Sequence, residues 1–256
     1  MKTTMLRICP VLLTLTLAPL FGGCASTMAN RGPEVPAMHN ISEVNDDFVA
    51  QSDDPWVGFN KSVYKFNYKF DQYIFLPVTN AYEFVTPTFV QTGVSNFFNN
   101  INEIKVFYNS LFQAKGMKAL TTLGRFATNT TIGVLGFFDV ATHFGMERQD
   151  EDFGQTLGVW GVGKGPYFVM PLVGPGTARS AGGFFVDVGI HSAIKTALDL
   201  PQYVDHGDAI QTGVTVVKTL DNRHQQPFRY YGTGYPFEYE LIRYLQTMKL
   251  ELATQK

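Results

Sequence analysis

Residues 158–165, GVWGVGKG, set two glycines five positions apart with Lys164 directly behind the second. That is the spacing by which a phosphate loop wraps backbone amides and an ammonium around a nucleotide phosphate. The position that should supply a Ser or Thr hydroxyl to a magnesium ion is Gly165, and Pro166 follows it. The flanks, FGQTLG before and GPYFVMPLVGP after, offer neither a buried apolar strand nor a helix whose N-terminus would face the anion. Nucleotide binding is set aside, and the glycines are read as serving backbone conformation and close packing.

Hydrolytic chemistry has a weaker footing. Asp187 and His191 are spaced i, i+4 with Ser180 and Ser192 nearby, but there is no G-x-S-x-G elbow, and a single Asp–His pair on a helix is more often a packing feature. The five histidines, at 39, 143, 191, 206 and 224, have no His or Cys partner at zinc spacing, and HExxH is absent. Asp150, Glu151 and Asp152 are calcium-type ligands in a row, a pattern that more commonly forms a solvated turn. The sequence therefore predicts a protein that is not an enzyme and needs no metal or cofactor.

Cys24 carries a different kind of chemistry. The first 24 residues, MKTTMLRICPVLLTLTLAPLFGGC, have Lys2 and Arg7 ahead of an apolar run from Ile8 to Phe21, then small residues before the cysteine, the layout of a secretory signal. FGGC resembles a bacterial lipobox, with Phe21 where Leu is usual. Cleavage before Cys24 would remove Cys9, leave no disulfide partner, and make acylation the explanation for an unpaired thiol in an exported chain. An ordinary secretory signal with an incidental cysteine is the alternative. Three acyl chains, at about 0.8 kcal/mol per buried methylene, would hold the protein on a membrane without measurable release. Ala25 after the cysteine resembles outer-membrane cargo. The formal net charge is -2, and loss of Lys2 and Arg7 makes it more negative, so no basic excess remains to hold nucleic acid.

The elements that would position any site follow from periodicity. Residues 1–23 are read as the lipoprotein signal peptide, and 24–52 as a lipidated tether, because they lack periodicity and PEVP at 33–36 breaks any helix. Residues 53–250 are read as one domain. Phe59, Val63, Phe66 and Phe70 predict a helix over 55–73, with Asp54 and Pro55 at its start. Val90, Val94, Phe97, Ile101, Ile104, Tyr108 and Leu111 predict a longer one over 87–113, and Met117, Leu120, Leu123 and Phe126 a third over 116–129. The second helix carries amides at Asn96, Asn99, Asn100, Asn102 and Asn109 where surface helices favour Lys and Glu. Asn is a mediocre helix former, so tertiary contacts must hold this helix, and its amide face fits either simple solvation or a polar wall along an internal path.

Residues 126–146 carry one charge, Asp139, and fit either a helical hairpin lying in a membrane interface or a buried core hairpin. The stretch 153–175 is predicted to be irregular backbone packed inside protein, and strands are at most minor.

Several of these stretches together resemble one family. DPWVGFNKSVYKFNYKFD at 54–71, PVTNAY at 77–82, GVSNFFNNINE at 93–103, GRFATNTTIGVLGFFDVA at 124–141 and DFGQTLGVWGVGKGPYFVMPLVGP at 152–175 look like the MlaA/VacJ outer-membrane lipoproteins. PFEYELIRYLQ at 236–246 resembles the family's closing helix, with Tyr235 in place of its leading Asp. The resemblance implies a mainly α, ring-like single helical domain in a Gram-negative outer membrane, on its periplasmic face and anchored through Cys24. It implies removal of mislocalised phospholipid from the outer leaflet, transfer to a periplasmic carrier of the Mla type, association with a trimeric porin, and maintenance of lipid asymmetry. On that footing the polar path falls to Asn96, Asn99, Asn100 and Asn109, and the membrane hairpin or lid to Ile132, Val134, Leu135, Phe137 and Phe138. A phospholipid-degrading envelope enzyme and a purely structural envelope lipoprotein are the competing readings.

Overall fold

A computed structural model describes residues 54–197 and 207–255. The expected signal peptide, Cys24 and the tether lie outside the described residues. The chain opens with α1 (Val57–Phe70), widens into a π-helical turn (Asp71–Phe75) and continues as α2 (Leu76–Val85). The first helix starts later than predicted because Asp54 does not cap it: its carboxylate instead accepts from Asn60 at 2.7 Å and from the Tyr239 hydroxyl. Pro87 ends the extended link and α3 (Thr88–Phe112) follows, then α4 (Gly116–Thr131), close to the predicted spans. Ala114, in the left-handed region at φ 56°, makes the tight reversal between them.

The remaining elements are α5 (Val140–His143), α6 (Phe153–Val159), β1 (Tyr167–Met170), β2 (Gly174–Thr177), α7 (Ala178–Ala197), α8 (Gly207–His224) and α9 (Glu238–Gln255). The architecture is mainly α, as predicted. The stretch predicted to be irregular is more ordered than its glycines suggest. Asp152 caps α6 by accepting from the Gln155 amide at 2.8 Å, and β1 and β2 pair antiparallel, Tyr167 opposite Thr177 and Met170 opposite Gly174.

Two short strands are marginal alone. Here α1 supplies the missing edge through Asn60 and Asn67, seven residues apart and therefore on one face. Asn60 donates to the Tyr167 carbonyl at 3.1 Å and accepts from the Val169 amide at 2.9 Å. Asn67 donates to the Met170 carbonyl at 3.0 Å and accepts from the Leu172 amide at 2.8 Å. Around this join Val63, Tyr64, Tyr167, Val169 and Tyr239 form the apolar core. The glycines act where close packing was predicted: a Cβ on Gly183 of α7 would stand 2.1 Å from the Gly154 nitrogen of α6.

Candidate functional site

The α3–α4 hairpin reverses the arrangement of a helix pair that packs in water. On α3 the buried residues are Gln91, Gly93, Phe98, Asn100, Glu103, Val106, Asn109 and Ser110; on α4 they are Ala119, Thr122, Arg125 and Asn129. The predicted apolar stripes face the other way. Leu111 is 52% exposed, Met117 77%, Leu120 64% and Leu123 47%, while Val94, Phe97, Ile101 and Ile104 are half-buried. Further exposed apolar side chains are Phe84 and Phe89 near the α2–α3 turn and Phe185 and Val188 on α7. Exposed apolar surface on this scale marks a face that meets lipid or protein. Among the described residues, no helix is long and apolar enough to cross a membrane.

What lies between α3 and α4 is a polar seam centred on Arg125, which is 2% exposed. Its guanidinium donates to Glu103 Oε1 at 2.7 Å, to Thr142 Oγ1 at 3.0 Å, to the Met146 carbonyl, and to Asp139 Oδ2 at 3.1 Å. Asn129 donates to Asp139 Oδ1 at 3.0 Å and accepts from the Ala141 amide at 2.8 Å. Burial would raise the Asp139 carboxyl, but donors from Thr142, Asn129 and Arg125 outweigh it and hold it below its ordinary value. Burial also works against the Arg125 charge, yet Glu103 and Asp139 keep that cation firmly protonated. The seam therefore fastens both ends of the segment between α4 and Met146.

That segment carries the residues expected to form a membrane hairpin or lid. Ile132 is 61% exposed, Val134 62%, Leu135 66% and Phe138 56%. Val134 and Leu135 both take left-handed φ angles, 53° and 57°, ahead of Gly136 at 90°. A β-branched residue in that region is an energetic outlier, held there by the surrounding bonds. The turn thus holds two apolar side chains out from a rigid polar base. Phe137 is the member that turns inward: its ring occupies the space above Gly93, where a Cβ would come within 2.0 Å of it.

Beside Phe137 lies an open groove of about 410 Å³, lined by Val94, Phe97, Phe98 and Phe137 on one side and Gly213, Val214 and Val217 of α8 on the other. Every named lining residue is apolar, and the volume falls within the ~300–1,000 Å³ range of ligand sites. Sequence reasoning missed α8 because which helix lies opposite residues 94–98 is a tertiary fact. The signal it overlooked was the apolar cluster V-x-V-V at 214–217 in a helix that also carries Ile210 and Leu220. Arg125 was also overlooked, although a lone cation between Leu123 and Phe126 is the mark of a buried partner.

The predicted polar-path asparagines divide into two kinds. Asn100 and Asn109 are 4% and 0% exposed. Asn100 donates to Thr130 at 2.9 Å; Asn109 donates to Asp187 at 2.9 Å and accepts from Thr156 at 2.8 Å. Asn96 and Asn99 are half-buried, Asn96 donating to the Phe137 carbonyl at 3.1 Å and Asn99 to Gln225 at 3.3 Å.

Residues weighed for hydrolysis have other tasks. The Asp187 carboxylate accepts from the Tyr108 hydroxyl at 2.7 Å, from Asn109, and from the Phe153 amide at 3.0 Å. Ser180 accepts from the Thr177 amide at 2.8 Å at the start of α7. In the acidic run, Glu151 binds Lys115 and Lys118 while Asp152 caps α6. Lys164 of the glycine-rich loop pairs with Glu251 at 2.8 Å.

Comparison with known proteins follows the same lines. The family model described as MlaA lipoprotein matches residues 52–251. A protein of Rickettsia felis is 32% identical over 171 residues, covering 67% of this chain and 65% of its own length. A protein of Rickettsia prowazekii is 32% identical over 178 residues, 70% of this chain and 68% of its own. The intermembrane phospholipid transport system lipoprotein MlaA of Escherichia coli is 38% identical over 138 residues, 52% of this chain and 55% of its own. The match thus spans just under two thirds of the Rickettsia felis relative and about half of the Escherichia coli one. A solved chain from a study of the structural basis for maintenance of bacterial outer membrane lipid asymmetry superposes with a TM-score of 0.60 at 27% identity, covering 79% of this chain and 99% of that one.

Proposed function

The chain belongs to the MlaA lipoprotein family, and from that premise we propose that it removes mislocalised phospholipid from the outer leaflet of a Gram-negative outer membrane and passes it to a periplasmic carrier. In this reading Cys24 is acylated and tethers a body seated at the periplasmic face of that membrane, beside a trimeric porin. The observation that carries it is the reversed hairpin: α3 and α4 bury Glu103, Arg125, Asn100 and Asn129 and turn Met117, Leu120 and Leu123 outward. Water would reward the opposite arrangement by about 25 cal/mol per Å² of apolar surface covered, whereas hydrocarbon removes that reward.

The path follows from what a phospholipid must avoid. Its charged head group cannot cross hydrocarbon without polar partners, and its tails gain nothing from a polar wall. Asn96, bonded to the Phe137 carbonyl, and Asn99, bonded to Gln225, stand half-buried on α3 and serve the head group, while Val94, Phe97, Val214 and Val217 serve a tail. Asn100 and Asn109 hold this wall to α4, α6 and α7. Ile132, Val134, Leu135 and Phe138 form the apolar lip, and Phe137 closes one end. Direction comes from partners with unequal lipid affinity, because a conduit with equal affinity for both ends shifts nothing.

Deletion of the gene, followed by measurement of outer-leaflet phospholipid, tests the proposal. Outer-leaflet phospholipid should rise and fall again on complementation, including with Ser180→Ala and Asp187→Asn variants that still accumulate. Lysophospholipid produced only by the wild type would instead support a lipase, and an unchanged lipid distribution would support a structural brace.

A further inference from the structure

Among the described lysines, those that are not exposed fall into two groups: those with a carboxylate partner, Lys164 on Glu251 among them, and those without. Lys115 and Lys118 each lie on the Glu151 carboxylate. Lys105 on α3 and Lys218 on α8 are half-buried and make no ion pair with any described residue. Both occupy the stripes that line the groove. Lys105 stands seven residues after Phe98 on α3, and Lys218 four after Val214 on α8, so each shares a helix face with a lining residue.

We propose that Lys105 and Lys218 together hold the phosphodiester of an anionic phospholipid whose acyl chain lies in the groove between α3 and α8. The assignment rests on the lipid-transport reading and adds to it a head-group site and a preference. A half-buried ammonium without a partner gives up hydration for nothing, and a second one whose field reaches it adds repulsion. Burial lowers the Lys218 ammonium from its ordinary value, and Lys105 pushes it the same way; no carboxylate opposes them. An anion reaching both cations removes both costs at once. The two unesterified oxygens of a phosphodiester can each accept one charge-assisted hydrogen bond, one from each lysine. The apolar lining beside them selects a phosphate that carries an acyl chain over one that does not.

Head-group charge then matters. Phosphatidylglycerol brings a single negative charge to two cations, whereas phosphatidylcholine brings its own cation into the repulsion, so the site discriminates by what it excludes as well as by what it binds. The test uses the full-length lipidated protein exchanged against nanodiscs of equal phosphatidylglycerol and phosphatidylcholine content, with retained lipid counted by mass spectrometry. The wild type should retain phosphatidylglycerol in preference by about thirtyfold, two lysines at ~1 kcal/mol each near an anionic lipid. The K105Q/K218Q variant, melting like the wild type, should bring that ratio close to one, and K249Q on the exposed face of α9 should leave it unchanged. Excess inorganic phosphate should not displace the lipid.

A wild type that retains neither lipid overturns the transport reading itself. A wild type that retains both equally, a double variant that keeps the preference, or release of lipid by inorganic phosphate overturns the lysine assignment alone.

Discussion

The seam between α3 and α4 and the groove between α3 and α8 use opposite faces of one helix and opposite chemistry. At the seam every described member of the Arg125, Glu103, Asp139 and Asn129 cluster is tied to another, and the loop that carries Val134 and Leu135 is fastened to it. At the groove the walls are Val94, Phe97, Val214 and Val217, with open space between them. Directional bonds hold one fixed geometry, while apolar walls impose little direction on what moves along them. The proposed function needs both: a frame between α3 and α4 held in shape by directional bonds, and a surface that grips no tail too specifically. The contrast makes the polar interior the skeleton and the apolar exterior the working face.

The largest effect should come from the skeleton. Arg125→Ala strands the Glu103 carboxylate inside the protein and leaves Asp139 only Thr142 and Asn129, and should cost about 3–5 kcal/mol, read by denaturation in detergent micelles. A cost under ~1 kcal/mol would mean that the seam is not what fixes the loop. Gly183→Ala acts where α6 and α7 touch backbone to backbone. No side chain can yield there, so a loss of about 1–3 kcal/mol in the same assay is expected.

Gly93→Ala sharpens the comparison because it touches both regions. The gain in helix propensity, about 1 kcal/mol, offsets the clash, and the half-buried Phe137 ring is free to swing. Stability should change little, while a fluorine label on Phe137 should report a ring moved out of its place above Gly93.

Acid should loosen the loop before it unfolds the rest. The Asp139 carboxyl lies below its ordinary 3.8 in the folded state, so its contribution is complete above that value and is lost as pH falls through the lower, folded one. Protection of the Val134–Phe138 amides, after correction for the intrinsic pH dependence of exchange, should hold steady down to pH 3.8 and fall only below it. The smallest effect on stability belongs to the groove. Val217→Asn, at an exposed site, should shift stability by no more than ~0.5 kcal/mol while weakening lipid retention.

Periodicity made α3 and α4 legible almost to the residue, but not which face they bury. The apolar stripe from Val90 to Leu111 was correctly spaced, and the rule that places such a stripe inside assumes water outside. The asparagines were the better guide: of the five singled out on this helix, Asn100 and Asn109 stand in the interior, while Asn96, Asn99 and Asn102 are half-buried. The exposure of Ile132, Val134, Leu135 and Phe138 was foreshadowed by their crowding a stretch with one charge. The two-stranded sheet was not, since its edge is completed by side chains of α1 rather than by a third strand, and no local pattern announces that. Lys218 stayed hidden because its meaning depends on Lys105, more than a hundred residues away.

The most direct test places a photoreactive residue at Val217 in the full-length chain and irradiates native membranes. Phospholipid adducts at that position, lost when Val94 and Phe97 are replaced by polar residues, are the predicted result. Adducts to protein alone, or none, would contradict a lipid path along this groove.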